Sequence, residues 1–286
     1  MIGSVVSIST LYVIICENEK LLHVPLLLLA LLIGIGCNIF IVGINQIADV
    51  DIDRINKPEL PIAAGEMSVR RAGIVITIAL LLSLGLALYL SAYLFAIILL
   101  AAGIGWAYSM PPFHWKKHHF TAALSILLVR GLLINIGGFL VFNYLVHRSL
   151  VLPADVKILA AFITVFSIVI AWFKDLPDVA GDAQYNIRTL AIVYSPMMAL
   201  RTGTTLVLLT YVMTILVKAI TISRELFPAS RDQLLLYGHL FLLLLFVLHS
   251  AAINLQEKNS VRKFYKRFWL FFFTEYLLYF AAYTLL

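Results

Sequence analysis

Long apolar segments alternate with short polar connections along the whole chain. A membrane-spanning helix needs about 20 predominantly apolar residues, and nine stretches approach or exceed that length. They lie at residues 1–16, 22–48, 70–90, 93–109, 120–146, 156–175, 197–220, 232–255 and 264–286. The first stretch is short, which leaves open a helix that begins a turn or more before Met1. The pattern predicts an all-α, polytopic integral membrane protein with about nine transmembrane helices.

The composition also indicates a bilayer as the solvent of this chain. Of the 286 residues, 62% are hydrophobic and 13% are charged, whereas a soluble domain carries roughly 45–50% apolar and about 25% charged residues. No polar stretch is long enough to fold alone, so we expect one transmembrane domain over residues 1–286. Cys16 and Cys37 lie inside apolar runs, which favours buried thiols over a disulfide framework. The net charge of +6 suits basic loops beside a membrane, and no nucleic-acid signature accompanies it.

The polar connections differ in length and charge. The long, basic set comprises residues 50–69, 110–119, 176–196 and 256–263. Together with the adjoining helix ends, this set carries 14 of the 21 Lys and Arg residues. Because basic loops stay in the cytoplasm, we expect these loops and the N-terminus on the cytoplasmic side and the C-terminus outside. Met1 opens onto an apolar run without a basic segment, so we expect no cleaved signal peptide.

Six of the fifteen acidic residues fall in two short windows at the ends of apolar segments. They are Asp49, Asp51 and Asp53 in the first window and Asp175, Asp178 and Asp182 in the second. Asn45, Asp49 and Asp53 follow one another at intervals of four, as do Asp178 and Asp182, so on a helix each set shares one face. Asp51 points off that face and is expected to be solvated or paired with Arg54. Asp175 is intermediate, since it lies three residues before Asp178.

Clustered carboxylates beside a membrane are costly, because like charges one helical turn apart repel each other. Oxygen ligands without nearby His or Cys suit a hard cation such as Mg²⁺, which takes one or two carboxylates together with phosphate oxygens. Two facing clusters therefore predict two Mg²⁺ ions with a diphosphate between them. The alternative is that each Asp is only solvated at the membrane surface, which explains one such residue better than two clusters.

Basic and aromatic residues lie near both acidic windows. These candidates for substrate binding are Arg54, Lys57, Tyr108, Lys116, Lys174 and Arg188. Lys and Arg side chains would match a diphosphate both as a bound group and as a leaving group. The alternative for the basic residues is ordinary loop charge at the cytoplasmic face, and for Tyr108 a place in the core or the interfacial belt.

Arg130 differs from these residues because it lies within an apolar run, near the start of its predicted helix. Its side chain can extend to the membrane surface, or it can face inward and contact the substrate or the carboxylates. Asn135 in the same run is expected to form hydrogen bonds between helices. The two interpretations of Arg130 remain open at this point.

Four segments together resemble a known family. They are NQIADVDIDRINKPELPIAAGEMS at 45–68, YSMPPFHWKK at 108–117, VRGLLINIGGFLVF at 129–142 and KDLPDVAGDAQYNIRTL at 174–190. In this combination the chain resembles the UbiA superfamily of intramembrane prenyltransferases over essentially its whole length. Within that superfamily it is most similar to the homogentisate prenyltransferases of tocopherol and plastoquinone biosynthesis.

The resemblance implies nine helices around a central cavity and Mg²⁺ held at both acidic motifs. Asn45, Asp49 and Asp53 would bind metal on one side, and Asp178 and Asp182 on the other. The resemblance places Arg54, Lys57 and Lys116 where family members engage the diphosphate. It implies a polyprenyl or phytyl diphosphate as the donor and a small aromatic acceptor like homogentisate, whose prenylation is accompanied by loss of CO₂. We therefore interpret the four motif aspartates and Lys116 as the catalytic set.

The chain departs from the family pattern at three places. Members usually carry an Arg-Pro-containing segment before the first helix, and this chain begins after it. His114 stands where related sequences often have Arg, and Ala180 stands where an acidic residue is common. These differences bear on the acceptor more than on the metal chemistry.

Several alternatives remain open from the sequence. The same chemistry could act on 4-hydroxybenzoate, a naphthoate, a chlorophyllide or a glycerol phosphate lipid. A divalent-cation transporter is the main alternative outside this class, because intramembrane acids often mark ion pathways. Its weakness is that the acids lie at one membrane face and are accompanied by basic loops. The sequence leaves the length of the prenyl chain and the oligomeric state open.

Overall fold

The computed structural model describes residues 2–17, 23–177, 179, 189–225 and 229–285. All regular secondary structure in these residues is helical. The elements are α1 (Ile2–Ile15), α2 (Val24–Ala48), α3 (Val50–Asn56), α4 (Val69–Leu90), α5 (Ala92–Ser109), a 3₁₀ turn (Trp115–Lys117), α6 (His119–Ile126), a π-helical segment (Leu127–Gly138), α7 (Phe139–His147), α8 (Ala154–Phe173), α9 (Leu190–Val193), α10 (Pro196–Ser223), α11 (Ser230–Ala251) and α12 (Lys258–Thr284). The prediction of an all-α membrane protein is confirmed.

Seven segments of the described chain are long and apolar enough to cross a membrane. Six of them are the single helices α2, α4, α5, α8, α10 and α11. The seventh is a continuous rod, Phe120–His147, that is formed by α6, the π-helical segment and α7. The first predicted span is the shorter helix α1, with 14 residues. The ninth is α12, whose 27 residues begin at Lys258, so the predicted start at 264 is wrong. The basic residues there form the first turns of the helix and not a loop.

The helices form a closed ring. Along the ring α1 contacts α2, α2 contacts α5, α5 contacts the π segment, and the π segment contacts α8. Helix α8 continues the ring to α10, α11 and α12, and α12 returns to α1. Helix α4 packs outside, against α2 and α5. Large apolar side chains such as Leu81 and Tyr89 are exposed on that outer helix, as expected for a surface that faces lipid.

Small side chains let α2 and α4 approach each other closely. A Cβ atom built on Gly36 of α2 would lie 2.8 Å from the backbone oxygen of Ala79 and 3.0 Å from the Cβ of Ser83 on α4. The Ser83 hydroxyl donates a buried hydrogen bond of 2.7 Å to the carbonyl oxygen of Ile33. Close approach with a hydroxyl-to-backbone bond is a common way of joining helices in membranes. This contact fixes the helix that carries the first acidic motif.

Gly36→Ala is therefore expected to destabilise the protein, by about 1–3 kcal/mol, because the added methyl meets backbone that cannot turn away. The matched control is Gly85→Ala on α4, where nothing lies within 4 Å of the new Cβ and where alanine favours a helix by about 1 kcal/mol. Reversible unfolding in detergent would measure both variants. A Gly36→Ala protein as stable as the wild type would contradict the close contact.

The main core is aromatic and lies between α8, α10, α11 and α12. Phe166 of α8 stacks on Phe162 of the same helix, and the centroids of the two rings are 4.8 Å apart. Phe166 also stacks on Phe268 of α12 at 5.0 Å, and Tyr211 of α10 meets Phe162 edge to face at 4.8 Å. These side chains are completely buried. This half of the ring is filled, whereas the half bounded by α1, α2 and α5 encloses a cavity.

A buried ionic cluster joins four helices at the end of the bundle opposite the first acidic motif. Lys218 of α10 donates to Asp155 of α8 and, over 2.7 Å, to Asp232 of α11. The hydroxyl of Tyr283 on α12 donates to the second oxygen of Asp155 over 2.9 Å. Lys218 is 2% exposed. Lys218 lies within α10, in the part of the chain that the sequence predicts as the span 197–220.

Candidate active site

The first acidic motif keeps its shared face although the helix breaks within it. Helix α2 ends at Ala48, and α3 begins at Val50. The Asp49 amide still donates to the carbonyl oxygen of Asn45, and the Asp53 amide donates to that of Asp49, over 3.0 and 2.7 Å. The spacing of one turn therefore continues through the break. The side chains of Asn45, Asp49 and Asp53 therefore share one helical face, as the sequence predicts.

Asp53 is the most buried acid of this motif, with 7% of its surface exposed. Burial raises the pKa of its carboxyl group, the positive charge of Lys57 lowers it, and the neighbouring Asp49 raises it again. Among the described residues, none donates a side-chain hydrogen bond to this carboxylate. A buried carboxylate next to a second one would gain from a cation between them.

Lys116 connects the loop after α5 to the first motif. Its Nζ atom lies 2.5 Å from Oδ1 of Asp49 and 3.4 Å from Oδ1 of Asn45. The hydroxyl of Ser109, at the end of α5, donates to the same Asn45 oxygen over 3.2 Å. The side chains of Lys116 and Asp49 are 14% and 16% exposed. The predicted grouping of Lys116 with Asn45 and Asp49 is thus present.

Lys174 follows α8 and lies beside Tyr108 of α5. Its Nζ donates to the Tyr108 hydroxyl over 3.0 Å and lies 5.7 Å from the centre of that ring. The Asp175 carboxylate is 4.0 Å from the same Nζ. The Tyr108 hydroxyl raises the pKa of Lys174, burial of the amine lowers it, and the charge of Asp175 raises it again, so that the net effect is a raised pKa. The lysine is therefore protonated at neutral pH.

Two other basic candidates lie toward solvent. Arg54 pairs with Asp51 over 3.0 Å, with 62% and 80% of the two side chains exposed. The expectation that Asp51 lies off the shared face and pairs with Arg54 is confirmed. Lys57 is exposed at the end of α3, although its charge acts on Asp53. Arg54 is thus turned away from the face that carries Asn45 and Asp49.

The second motif falls largely outside the described residues. Asp178, Asp182 and Arg188 lie there, and only Lys174 and Asp175 of the predicted set are placed. In the described ranges, no group of three or more His, Cys, Asp and Glu side chains converges as a metal site. The first motif contributes two carboxylates and one amide, which is the donor set expected for Mg²⁺ bound jointly by protein and phosphate oxygens.

An apolar cavity of about 720 Å³ lies below this polar group, between α1, α2, α5, the π segment and α12. Its upper end reaches Val42, three residues before Asn45, which is about 4.5 Å along the helix axis. Asn38, on the same face of α2, also lines the cavity, and its Oδ1 atom has no hydrogen-bond partner among the described atoms. Ile33 and Ala30 continue the apolar wall toward the far side of the membrane.

Arg130 lies in the wall of this cavity, in the π-helical segment. The centre of its guanidinium is 5.6 Å from the Trp269 ring and 5.5 Å from the Phe272 ring, both on α12. The Asn135 amide donates to the Arg130 carbonyl oxygen over 2.6 Å and accepts from the Tyr276 hydroxyl over 2.9 Å. The structure thus supports the inward-facing interpretation of Arg130 and the interhelical bond expected of Asn135.

Comparison with known proteins shows the family to which this chain belongs. The model of the UbiA prenyltransferase family matches residues 6–274. The chain belongs to the UbiA prenyltransferase family. It is 38% identical over 251 residues to homogentisate phytyltransferase of Synechocystis sp., covering 88% of this chain and 79% of that protein. It is 34% identical over 275 residues to the chloroplastic homogentisate solanesyltransferase of Arabidopsis thaliana, covering 92% and 68% of the two chains.

A solved structure shows the same fold. A UbiA homolog from Archaeoglobus fulgidus, described as bound to DMAPP and Mg²⁺, superposes with a TM-score of 0.63 at 18% identity and covers 99% of this chain and 96% of that one. This protein is thus an integral membrane prenyltransferase of the UbiA type.

Sequence reasoning missed several residues that the fold brings to the site. Ser109 ends an apolar helix, and no local pattern marks it as a partner of Asn45. Trp269 and Phe272 belong to an aromatic run in α12, far from the motifs in sequence. Trp172, at the end of α8, packs against the main core. Asn38 could have been found, because it lies two helical turns before Asn45 on the same face.

Proposed function

We propose that this enzyme transfers the prenyl group of a polyprenyl or phytyl diphosphate to homogentisate or a closely similar hydroquinone. One observation carries the proposal: the polar face of Asn45, Asp49 and Asp53 continues directly into an apolar cavity along the same helix. A charged head group and a long apolar chain on one substrate need these two environments side by side. The reaction belongs in the membrane because the prenyl chain has no favourable place in water.

Asn45, Asp49 and Asp53 would hold Mg²⁺ on one side of the diphosphate, with Asp175, Asp178 and Asp182 of the second motif on the other. The donor set, carboxylates and an amide without nearby His or Cys, suits this ion. When bound, Mg²⁺ neutralises negative charge on the diphosphate oxygens. The Archaeoglobus fulgidus homolog, described as bound to a prenyl diphosphate and Mg²⁺, supports this assignment.

Lys116 would stabilise the departing diphosphate. Its ammonium already sits between Asn45 and Asp49, so a phosphate oxygen arriving at the motif meets a preplaced positive charge. Lys174, held by Tyr108, would supply a second charge from the opposite side. Lys57 and Arg188 complete the basic set in this proposal, and Arg54 would join only if its bond to Asp51 opened.

In the reaction, the bond between C1 of the prenyl group and oxygen breaks, and the diphosphate leaves with the electron pair. A ring carbon of the acceptor forms the new bond to C1, and the ring becomes aromatic again by releasing a proton. With homogentisate, the side-chain carboxylate leaves as CO₂, and the electron pair of the broken carbon–carbon bond takes up a proton. The aromatic face of Tyr108, whose hydroxyl binds Lys174, would stabilise positive charge on the prenyl carbon. The apolar lining of the cavity keeps water from capturing that carbon.

The substrates of the relatives support the proposed acceptor and the proposed class of donor. Homogentisate prenyltransferases with phytyl and with solanesyl donors are both 34–38% identical to this chain, so the acceptor is the shared element and the chain length is the variable one. The acceptors 4-hydroxybenzoate, a naphthoate, a chlorophyllide and a glycerol phosphate lipid are the alternatives. A divalent-cation transporter is disfavoured, because the described cavity below the motif is lined mainly by apolar side chains and offers no polar path for an ion.

The orientation of the protein is part of the proposal. The loops after α2, α5 and α8 share one end of the bundle with the basic first turns of α12. Because basic residues concentrate in cytoplasmic loops, these loops would face the cytoplasm. Water-soluble acceptor and magnesium would then enter from that side, and the donor would enter from the lipid.

The test is prenyl transfer by the purified full-length chain in detergent. Homogentisate and Mg²⁺ would be supplied with phytyl, geranylgeranyl and solanesyl diphosphates in turn, and the alternative acceptors with the best donor. We expect a prenylated hydroquinone that forms only with Mg²⁺ and is lost on addition of EDTA. Turnover restricted to another acceptor would discard homogentisate but keep the class. Folded protein that binds no prenyl diphosphate would overturn the proposal in favour of the transporter.

A further inference from the structure

A second, smaller cavity of about 270 Å³ lies between α11 and α12, at the end of the bundle that carries the first acidic motif. Its wall includes the side chains of His249 on α11 and of Ser260, Lys263 and Arg267 on α12. Glu257 is the only acidic side chain that the described residues contribute to this wall. Basic and hydrogen-bonding groups thus dominate the described wall, which favours an anionic ligand. The proposed reaction uses none of these residues.

One face of α12 supplies most of the polar wall. Ser260, Lys263 and Arg267 lie at positions i, i+3 and i+7, so their side chains share that face. The Ser260 hydroxyl accepts a hydrogen bond from the Asn254 amide over 3.0 Å, and a hydroxyl that accepts can still donate its own proton to a ligand. Lys263 and Arg267 are exposed. A ligand can therefore reach both cations without opening the bundle.

Aromatic packing fixes His249 in the opposite wall of this cavity. Its ring stacks on Phe264, with the two centroids 4.6 Å apart and the planes 7° from parallel, and it lies 5.6 Å from the Phe271 ring. The His249 Nε2 atom is 3.2 Å from the carbonyl oxygen of Phe264. Because a carbonyl oxygen can only accept, Nε2 carries the proton in this contact. The wall that faces Lys263 and Arg267 is therefore held in place.

The cavity lies where the apolar surface of the bundle ends. Helix α11 is long and apolar enough to cross the membrane, and it ends at Ala251. Leu245 lies four residues before His249, and Leu270 lies three residues after Arg267, so each shares a side of its helix with a cavity residue. Both leucines are exposed. A ligand with its charged head in the cavity would therefore place an apolar part beside these leucines, as a phospholipid does.

We propose that this cavity binds the phosphate group of an anionic phospholipid in the leaflet on the side of the acidic motif. Lys263, Arg267 and Ser260 donate to the phosphate oxygens. Five of the ten residues 258–267 are basic, namely Lys258, Arg262, Lys263, Lys266 and Arg267. Clusters of about four to eight basic residues beside a transmembrane helix are typical of anionic-lipid binding, as are basic pockets between such helices.

The site lies next to the wall of the larger cavity. Trp269, which lines that cavity, follows Arg267 by two residues on the same helix. A lipid held between α11 and α12 therefore fixes the helix end that continues into this wall. Because a ligand that binds only the folded state stabilises it, an anionic lipid should also raise the melting temperature of the protein.

The test measures lipid binding by the purified full-length chain in detergent. Native mass spectrometry would follow a titration with dioctanoyl phosphatidylglycerol, and dioctanoyl phosphatidylcholine would be the lipid without net charge. We expect one phosphatidylglycerol to bind in preference to phosphatidylcholine and to raise the melting temperature. Lys263→Gln combined with Arg267→Gln should weaken phosphatidylglycerol binding by about 30-fold, which corresponds to about 2 kcal/mol for two basic side chains.

The matched control is Arg262→Gln combined with Lys266→Gln. It removes the same charge from exposed positions of α12 that do not line the cavity. Its binding should change by no more than about 3-fold, because exposed charges away from the ligand are largely screened. Equal weakening by the two double variants would indicate diffuse attraction and overturn the site. Equal affinity of the wild type for the two lipids would overturn it as well.

Two further measurements address the source of the phosphate and the fold of the variants. Inorganic phosphate at the concentration of the lipid should not displace phosphatidylglycerol, and displacement would assign the site to a soluble phosphate and overturn the lipid. Without added lipid, the Lys263 and Arg267 double variant should melt as the wild type does. If it unfolds, Lys263→Gln alone should weaken binding by about 5-fold, with Arg262→Gln as its control, and equal effects would again overturn the site.

Discussion

Asp49→Asn is expected to lower kcat/KM for prenyl transfer by about 10³-fold, the upper range for removing one group that stabilises developing charge. Asp49 lies in the middle of the motif, one turn from Asn45 and one from Asp53, and binds Lys116 over 2.5 Å. The substitution preserves shape but removes the negative charge that a divalent cation needs. It also releases Lys116 from its ion pair. Steady-state kinetics with a Mg²⁺ titration would measure the effect.

The matched control is Asp51→Asn, two residues away. Asp51 is 80% exposed and pairs only with Arg54 in the described structure, and an exposed ion pair contributes little, about 0–1 kcal/mol. Its activity should stay within about 2-fold of wild type. If Asp49→Asn kept normal activity at low Mg²⁺, or if both variants lost activity equally, the assignment of the shared face to metal would be wrong.

The sequence predicts the helices well because the bilayer imposes a simple rule. Apolar runs long enough to cross the membrane have to be helical, since lipid offers no partner for backbone polar groups. The predicted spans 70–90 and 93–109 correspond to helices Val69–Leu90 and Ala92–Ser109. The start of α12 was predicted six residues too late, because this rule does not apply outside the bilayer. Basic residues there suggest a loop, but outside the bilayer polarity does not prevent a helix from continuing.

The first acidic motif could be predicted because its members are close in sequence. Intervals of four place Asn45, Asp49 and Asp53 on one helical face, and backbone hydrogen bonds keep that face through the break at Asp49. Lys116 joins them over 67 residues of chain separation. Its place was expected from the family resemblance, because no periodicity within the sequence connects a loop lysine with a distant helix end.

Other features could not be predicted, because they depend on packing between distant helices. His239 of α11 and Glu275 of α12 form a fully buried pair at 2.7 Å, and each lies alone in an apolar run. The π-helical conformation of Leu127–Gly138 also has no local sequence signal, and it is supported by a bond from Asn135 to Arg130 and by packing against α8. Contacts of this kind appear only when the helices are placed around the cavity.

Lys218→Met is expected to reduce the free energy of unfolding by about 3–5 kcal/mol, the usual cost of breaking a buried ion pair. The substitution keeps much of the side-chain volume but leaves Asp155 and Asp232 as two buried carboxylates without their shared cation. Each is only 9% exposed in its side chain. Reversible unfolding in mixed detergent micelles, followed by circular dichroism, would measure the loss. Lys157→Met, at an exposed position on α8, is the control and should change stability by less than about 0.5 kcal/mol.

A second variant distinguishes the loss of charge pairing from the loss of packing. Lys218→Met combined with Asp155→Asn and Asp232→Asn removes all three charges and keeps the shapes of the side chains. If unpaired charge is the cause, this triple variant should regain most of the lost stability, because neutral groups cost much less to bury than ions. If the lysine stem mainly fills space, the triple variant should be no more stable than Lys218→Met. Prenyl transfer by the refolded triple variant should match the wild type, since this cluster lies at the opposite end of the bundle from Asp49.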